Sequence, residues 1–155
     1  MNMRIDTKRG GKSSLGKLSR ISFLFFVLMI IVFFTQVAHA QWNGIIPHVT
    51  TRGEVISILG EPSYDSGFAM IYDKEKAPSD TRGAAIYIFN DVVTMVRVIP
   101  ARDLSEGDIS GAYGKPASVS FKNPDVEEHV FNSPSGKVVV MFTKQKKRAI
   151  RIDYL

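Results

Sequence analysis

Apolar residues along this chain follow two different periods. In "RGEVISIL", residues 52 to 59, Val55, Ile58 and Leu59 fall at i, i+3 and i+4, the apolar stripe of a short helix. "EGDISGAY", residues 106 to 113, repeats the spacing with Ile109, Ala112 and Tyr113. Elsewhere the pattern is partial alternation in runs rich in β-branched and aromatic residues, which predicts strands at 68–73, 83–90, 92–99, 117–121, 128–132, 137–142 and 149–155. Between them lie turn signals: Asn90-Asp91, "KNPD" at 122–125, "SPSG" at 133–136 and "KQKK" at 144–147.

The two helical stretches also share their boundaries. Thr51 and Ser105 are good N-caps, and each is followed three residues later by an acid, Glu54 or Asp108, as in a capping box. Leu59-Gly60-x-Pro62 closes the first stretch and Tyr113-Gly114-x-Pro116 the second; the glycine offers a left-handed stop and the proline prevents continuation. Superposing Gly60 on Gly114 sets an internal offset of 54 residues. Helices this short are marginal alone in water and need an apolar surface to lie on. The expected fold class is therefore α+β: a two-layer fold of two tandem helix-plus-antiparallel-meander units, about residues 41–100 and 101–155, sharing a sheet and a core.

The stretch Thr51-x-x-x-Val55-x-x-x-Leu59-Gly60-x-Pro62 followed by a meander resembles the small outer-membrane assembly lipoproteins of the SmpA/OmlA (BamE) family. The tandem arrangement is similar to the β-lactamase inhibitor protein fold, which duplicates a like unit. The opening "WNGIIPHVTTRGEVISILGEP" also resembles exported bacterial proteins that begin Trp-x-Gly-Ile-x-Pro. These likenesses are sharp over residues 42–62 and weak over 105–116, and their motif is a cap and a stop, so they imply a fold and not an active site. The assembly lipoproteins carry an acylated amino-terminal cysteine, which this chain lacks.

Charge changes the picture only once the chain is divided. The net charge of the 155 residues is +5, yet the first 20 hold six of the 20 basic residues and one of the 15 acids, so residues 21–155 carry 14 of each. The basic footprint of a nucleic-acid binder is thus confined to a leader, and no nucleic-acid partner is expected. That leader has a basic head, the apolar run "ISFLFFVLMIIVFF" at 21–34 and a small-residue ending at Ala38-His39-Ala40, which reads as a Sec signal peptide over 1–40 cleaved before Gln41. An uncleaved amino-terminal membrane anchor is the alternative. The chain has no cysteine, which excludes disulfides, thiolate metal sites and lipidation after cleavage.

Candidate chemistry is sparse. His48 and His129 lie far apart without metal-ligand spacing, and no nucleophile elbow or phosphate-binding glycine loop occurs. Asp125, Glu127 and Glu128 read as a solvated loop beside Pro124, and Lys144 to Arg148 as a charged hairpin turn. No catalytic, cofactor or metal residue is assigned. Trp42, followed by an extended Ile45-Ile46-Pro47 stretch, either docks on the sheet or meets a partner, and Tyr72 and Tyr87 divide in the same way between core and contact surface. The expected role is a non-catalytic, exported binding or scaffold module of the bacterial cell envelope, meeting an envelope protein or polymer. An inhibitor of a secreted hydrolase is the alternative and an enzyme comes third.

Overall fold

The computed structural model describes residues 40–155. The leader, apart from Ala40, lies outside the described residues. Among the described residues two helices and eight strands form: α1 (Arg52–Leu59), β1 (Tyr64–Asp65), β2 (Ala69–Tyr72), β3 (Thr81–Phe89), β4 (Val92–Pro100), α2 (Glu106–Tyr113), β5 (Ser118–Asn123), β6 (Val126–Ser133), β7 (Gly136–Thr143) and β8 (Arg148–Tyr154).

All eight strands join one antiparallel sheet in the order β1-β2-β3-β4-β8-β7-β6-β5. The chain walks from one edge to the centre, crosses to the far edge through α2, and walks back until β8 pairs with β4. This overturns the expected α+β two-layer class of two helix-plus-meander units. Over the described residues the fold is mainly β, 49% strand against 14% helix. The physical reason is the size of the helices. Each has eight residues and fully buries one side chain, Val55 or Ile109, too little to form a second layer over eight strands.

The helix boundaries follow local chemistry closely. Thr51 Oγ1 accepts from the Glu54 amide at 3.3 Å while the Glu54 carboxylate accepts from the Thr51 amide at 2.7 Å. Ser105 and Asp108 repeat the exchange at 3.2 and 2.8 Å. Each cap residue also forms a single antiparallel bridge to the sheet, Thr51 to Val92 and Ser105 to Arg148, so the start of each helix is fixed to the start of a central strand. The stops differ from a standard left-handed cap. Gly60 has φ 80° and ψ −172°, Gly114 φ 81° and ψ −155°, a region essentially reserved for glycine.

The buried stripe is rotated from the expected one. Val55 is buried with Ile56 and Leu59 packed beside the core, whereas Ile58 is 46% exposed; on α2, Ile109 and Tyr113 face inward and Ala112 faces out. At 100° per residue the positions i, i+1 and i+4 span one face, and i+3 falls off its side.

Alternation settles the strands. On the helix side, Met70, Tyr72, Ile86, Val96, Val98, Ile152, Val138, Val140, Phe142 and Phe131 make one buried cluster. The amino-terminal segment fills the rest of this side, with Ala40, Trp42, Ile45 and Pro47 all buried. Asn90 and Asp91 take φ 49° and 64°, the paired positive values of a type I′ hairpin turn between Phe89 and Val92.

Candidate binding face

Among the described residues no helix lies on the opposite side of the sheet, and one in-register row of residues crosses all eight strands on it: Tyr64, Ile71, Ala85, Arg97, Asp153, Val139, Val130 and Ser118. Directly opposed residues of an antiparallel pair share a face, so the row is a continuous surface feature. Beside it lie a second set, Ala69, Tyr87 and Met95 on one half, and Arg151, Met141, Glu128 and Ser120 on the other. Most of these side chains are half-buried by their neighbours alone.

Charge gathers where β4 meets β8. Arg97 Nε donates to Asp153 Oδ1 at 2.9 Å and Arg97 Nη2 to Oδ2 at 3.2 Å, a bidentate pair. Arg151 Nε lies 3.1 Å from the same Oδ2, near enough for an ion pair though not aligned as a hydrogen bond. The hydrogen bond from Arg97 to Asp153 holds the arginine pKa above its ordinary value. Arg97 also reaches Tyr87: its Nη1 donates to the phenol oxygen at 3.3 Å and its guanidinium carbon stands 5.6 Å from the ring centroid. Farther out, Lys122 pairs with Glu128 at 3.1 Å, and Lys137, opposite Asn132, stays exposed. On this face the cations Arg97, Arg151, Lys122 and Lys137 stand against the acids Asp153, Glu128 and Asp73, the last beside Ile71, Ala85 and Arg97.

A solved structure resembles this fold. The crystal structure of a DUF4309 family protein (YjgB) from Bacillus subtilis is similar to this chain with a TM-score of 0.54, covering 72% of this chain and 81% of that one at 13% identity. At that identity the likeness bears on the fold alone. No protein-family model matches the chain, and no curated protein does.

The structure separates the three aromatic residues considered for partner contact. Of the two alternatives, docking describes Trp42, 5% exposed, and Tyr72, fully buried, both part of the core cluster. Tyr72 instead donates its hydroxyl to the Gly60 carbonyl at 2.9 Å, tying the end of α1 to β2; burial pushes its pKa up to about 12. Tyr87 does sit on the helix-free face, beside Arg97. Thr51, Leu59, Gly60, Pro62, Ser105, Tyr113, Gly114 and Pro116 lie at the helix ends, away from this face.

The acidic run divides by alternation. Glu128 points to the helix-free face, while Glu127 and His129 are buried on the helix side. There Lys147 contacts Glu127 and holds its carboxyl below the usual range, His129 Nε2 lies 3.3 Å from Glu127 Oε2, and the imidazole packs 4.7 Å from Phe142. A solvated loop was the expectation, and only Asp125 occupies one. Sequence reading also missed Arg97 and Asp153. Their signal was available: a charged residue set within each of two strongly apolar strands, "VVTMVRVI" and "AIRIDYL".

Proposed function

We propose that this chain is a non-catalytic binding module, exported to the bacterial cell envelope, that docks a protein partner on the helix-free face of its sheet. The observation that carries the reading is the eight-residue row across that face, apolar at Ile71, Ala85, Val130 and Val139 and centred on the Arg97–Asp153 pair. A surface of apolar area with charge at its centre and rim suits a protein interface, in which arginine and aromatic residues are enriched. The excess of cations over acids favours a partner whose own apolar patch is rimmed by carboxylates, since complementary potentials speed and orient association. The basic head, apolar run and small-residue ending of the leader support export.

The test compares recovery of one envelope partner by the wild-type chain, by Val139→Asp and Met141→Asp on the face, and by Ser57→Asp on the exposed side of α1. Loss of recovery in the two face variants with retention in Ser57→Asp is expected. Retention in all three, or loss in Ser57→Asp alone, removes the proposal.

A further inference from the structure

The two edges of the sheet are finished differently. At one, β1 has only two residues, and the Arg52 side chain of α1 ties it down, donating to the Asp65 carboxylate and, at 3.2 Å, to the Gly67 carbonyl. Short, occupied edges of this kind resist further strand pairing. At the other, β5 runs six residues with every side chain exposed, and among the described residues it pairs with β6 alone. Pro116 and Pro124 stand outside β5, so each of its residues keeps a backbone N–H.

This edge is apolar on one side and electrically satisfied on the other. Val119 and Phe121 lie opposite His129 and Glu127, toward the helix side, yet are 51% and 64% exposed. A β-branched and an aromatic residue so placed are what a neighbouring strand buries. The strand's one charge, Lys122, is already paired with Glu128 of β6 at 3.1 Å, so β5 offers no unmatched charge to attract an acidic or basic segment. Lys144, 5.3 Å from the Phe121 ring centroid, is rooted beyond the Asn123 end, its amide bonded to the Asp125 carbonyl.

Residue order on β5 matches the strand to itself. Directly opposed residues of an antiparallel pair share a face, so a two-fold axis through Ser120 sets Val119 against the second copy's Phe121 and Phe121 against its Val119. Each exposed apolar side chain then gains an apolar neighbour, Lys122 meets Ser118 rather than another cation, and the two Lys144 side chains fall on opposite sides of the axis. An axis on Val119 would oppose Phe121 to Ala117, and one on Phe121 would oppose Val119 to Asn123 across the bulge at Lys122. We infer that β5 is a self-association edge, pairing antiparallel with β5 of a second copy about Ser120 and joining two eight-stranded sheets into one. The edge is separate from the helix-free face proposed above and stands or falls independently of it.

The chain has no cysteine, so a single introduced thiol reports its distance from its own copy. Opposed Cα atoms at Ser120 would lie ~4.5–5.5 Å apart, inside the ~4.4–6.8 Å span of a disulfide, whereas those at Val119 would be diagonal and ~7–8 Å apart. The full chain made by its host is followed by sedimentation, and Ser120→Cys, Val119→Cys and Ser57→Cys are oxidised with copper–phenanthroline at equal dilution. A reversible dimer with a dissociation constant on the order of 10–100 μM is expected, since so short an interface is weak. Ser120→Cys should form a disulfide-linked dimer about tenfold faster than the other two. Val119→Lys and Phe121→Lys, both at exposed positions, should each weaken the reversible dimer about tenfold or more. A chain that stays monomeric at ~500 μM, a dimer that both lysine variants leave unchanged, cross-linking through Val119→Cys or Ser57→Cys as fast as through Ser120→Cys, or capture of a different protein in place of a second copy would overturn the inference.

Discussion

Arg97 and Asp153 are direct cross-strand partners on β4 and β8, joined by two hydrogen bonds where the strands from the two halves of the chain meet. β4 and β8 share three paired positions, fewer than the other strand pairs near the centre, so side-chain bonds matter more at this seam. Removing Asp153 leaves two arginines facing each other without a counter-ion, whereas removing Arg97 leaves Arg151 still beside the carboxylate. Asp153→Ala should therefore cost about 2 kcal/mol. That is below the ~3–5 kcal/mol of a fully buried pair because Arg97 is about one third exposed. Arg97→Ala should cost less, and urea unfolding midpoints of the two variants check the order.

The two caps are expected to contribute equally. Thr51→Ala and Ser105→Ala each remove one side of a reciprocal capping box and should each cost ~1 kcal/mol. They share no hydrogen-bonding partner, so the double variant should lose about 2 kcal/mol. Thermal unfolding of the three variants gives the comparison.

The rotated helix stripe distinguishes two neighbouring residues. Val55→Ala opens a cavity in the core and should cost about 2 kcal/mol, whereas Ile58→Ser changes an exposed position and should stay within about 0.5 kcal/mol of wild type. Comparable losses in both would restore the i, i+3, i+4 stripe.

Tyr72 gives the fold an alkaline limit. Its pKa is raised to about 12 from the ordinary 10, first by burial, so the folded state holds the phenol proton more tightly than the unfolded chain. The resulting stability is fully present below pH 10 and is lost as pH rises toward 12. Tyr154 acts in the same direction. Tyr72→Phe should flatten, without abolishing, the decline in unfolding free energy above pH 10, as followed by circular dichroism at fixed urea.

Much of this was legible because it is local. Thr51 with Glu54, and Ser105 with Asp108, announce their helices in four residues, and Asn90-Asp91 between two apolar runs announces a type I′ turn. Seven of the strands lie where alternation places them, while β1, two exposed residues at the edge, has no alternation to read. What failed was the weight given to the helices. Helix signals are strong in sequence at any length, but the share of the core that a helix supplies depends on how many side chains it buries, and here each buries one. The burial of Trp42 and Tyr72 is tertiary, and so is the meeting of Arg97 with Asp153, 56 residues apart in sequence, and no local rule ties them together. The helix-free face follows from the same tertiary outcome.

The most direct test of that face is site-specific photocrosslinking in the host envelope, with benzoylphenylalanine placed by turns at Ala85, Val130 and Val139 on the helix-free face and at Ser57 and Ala112 on the helix side. A discrete protein adduct from the three face positions, absent from the two helix positions, is the predicted result. Adducts confined to the helix side, or no adduct from any face position, would contradict it.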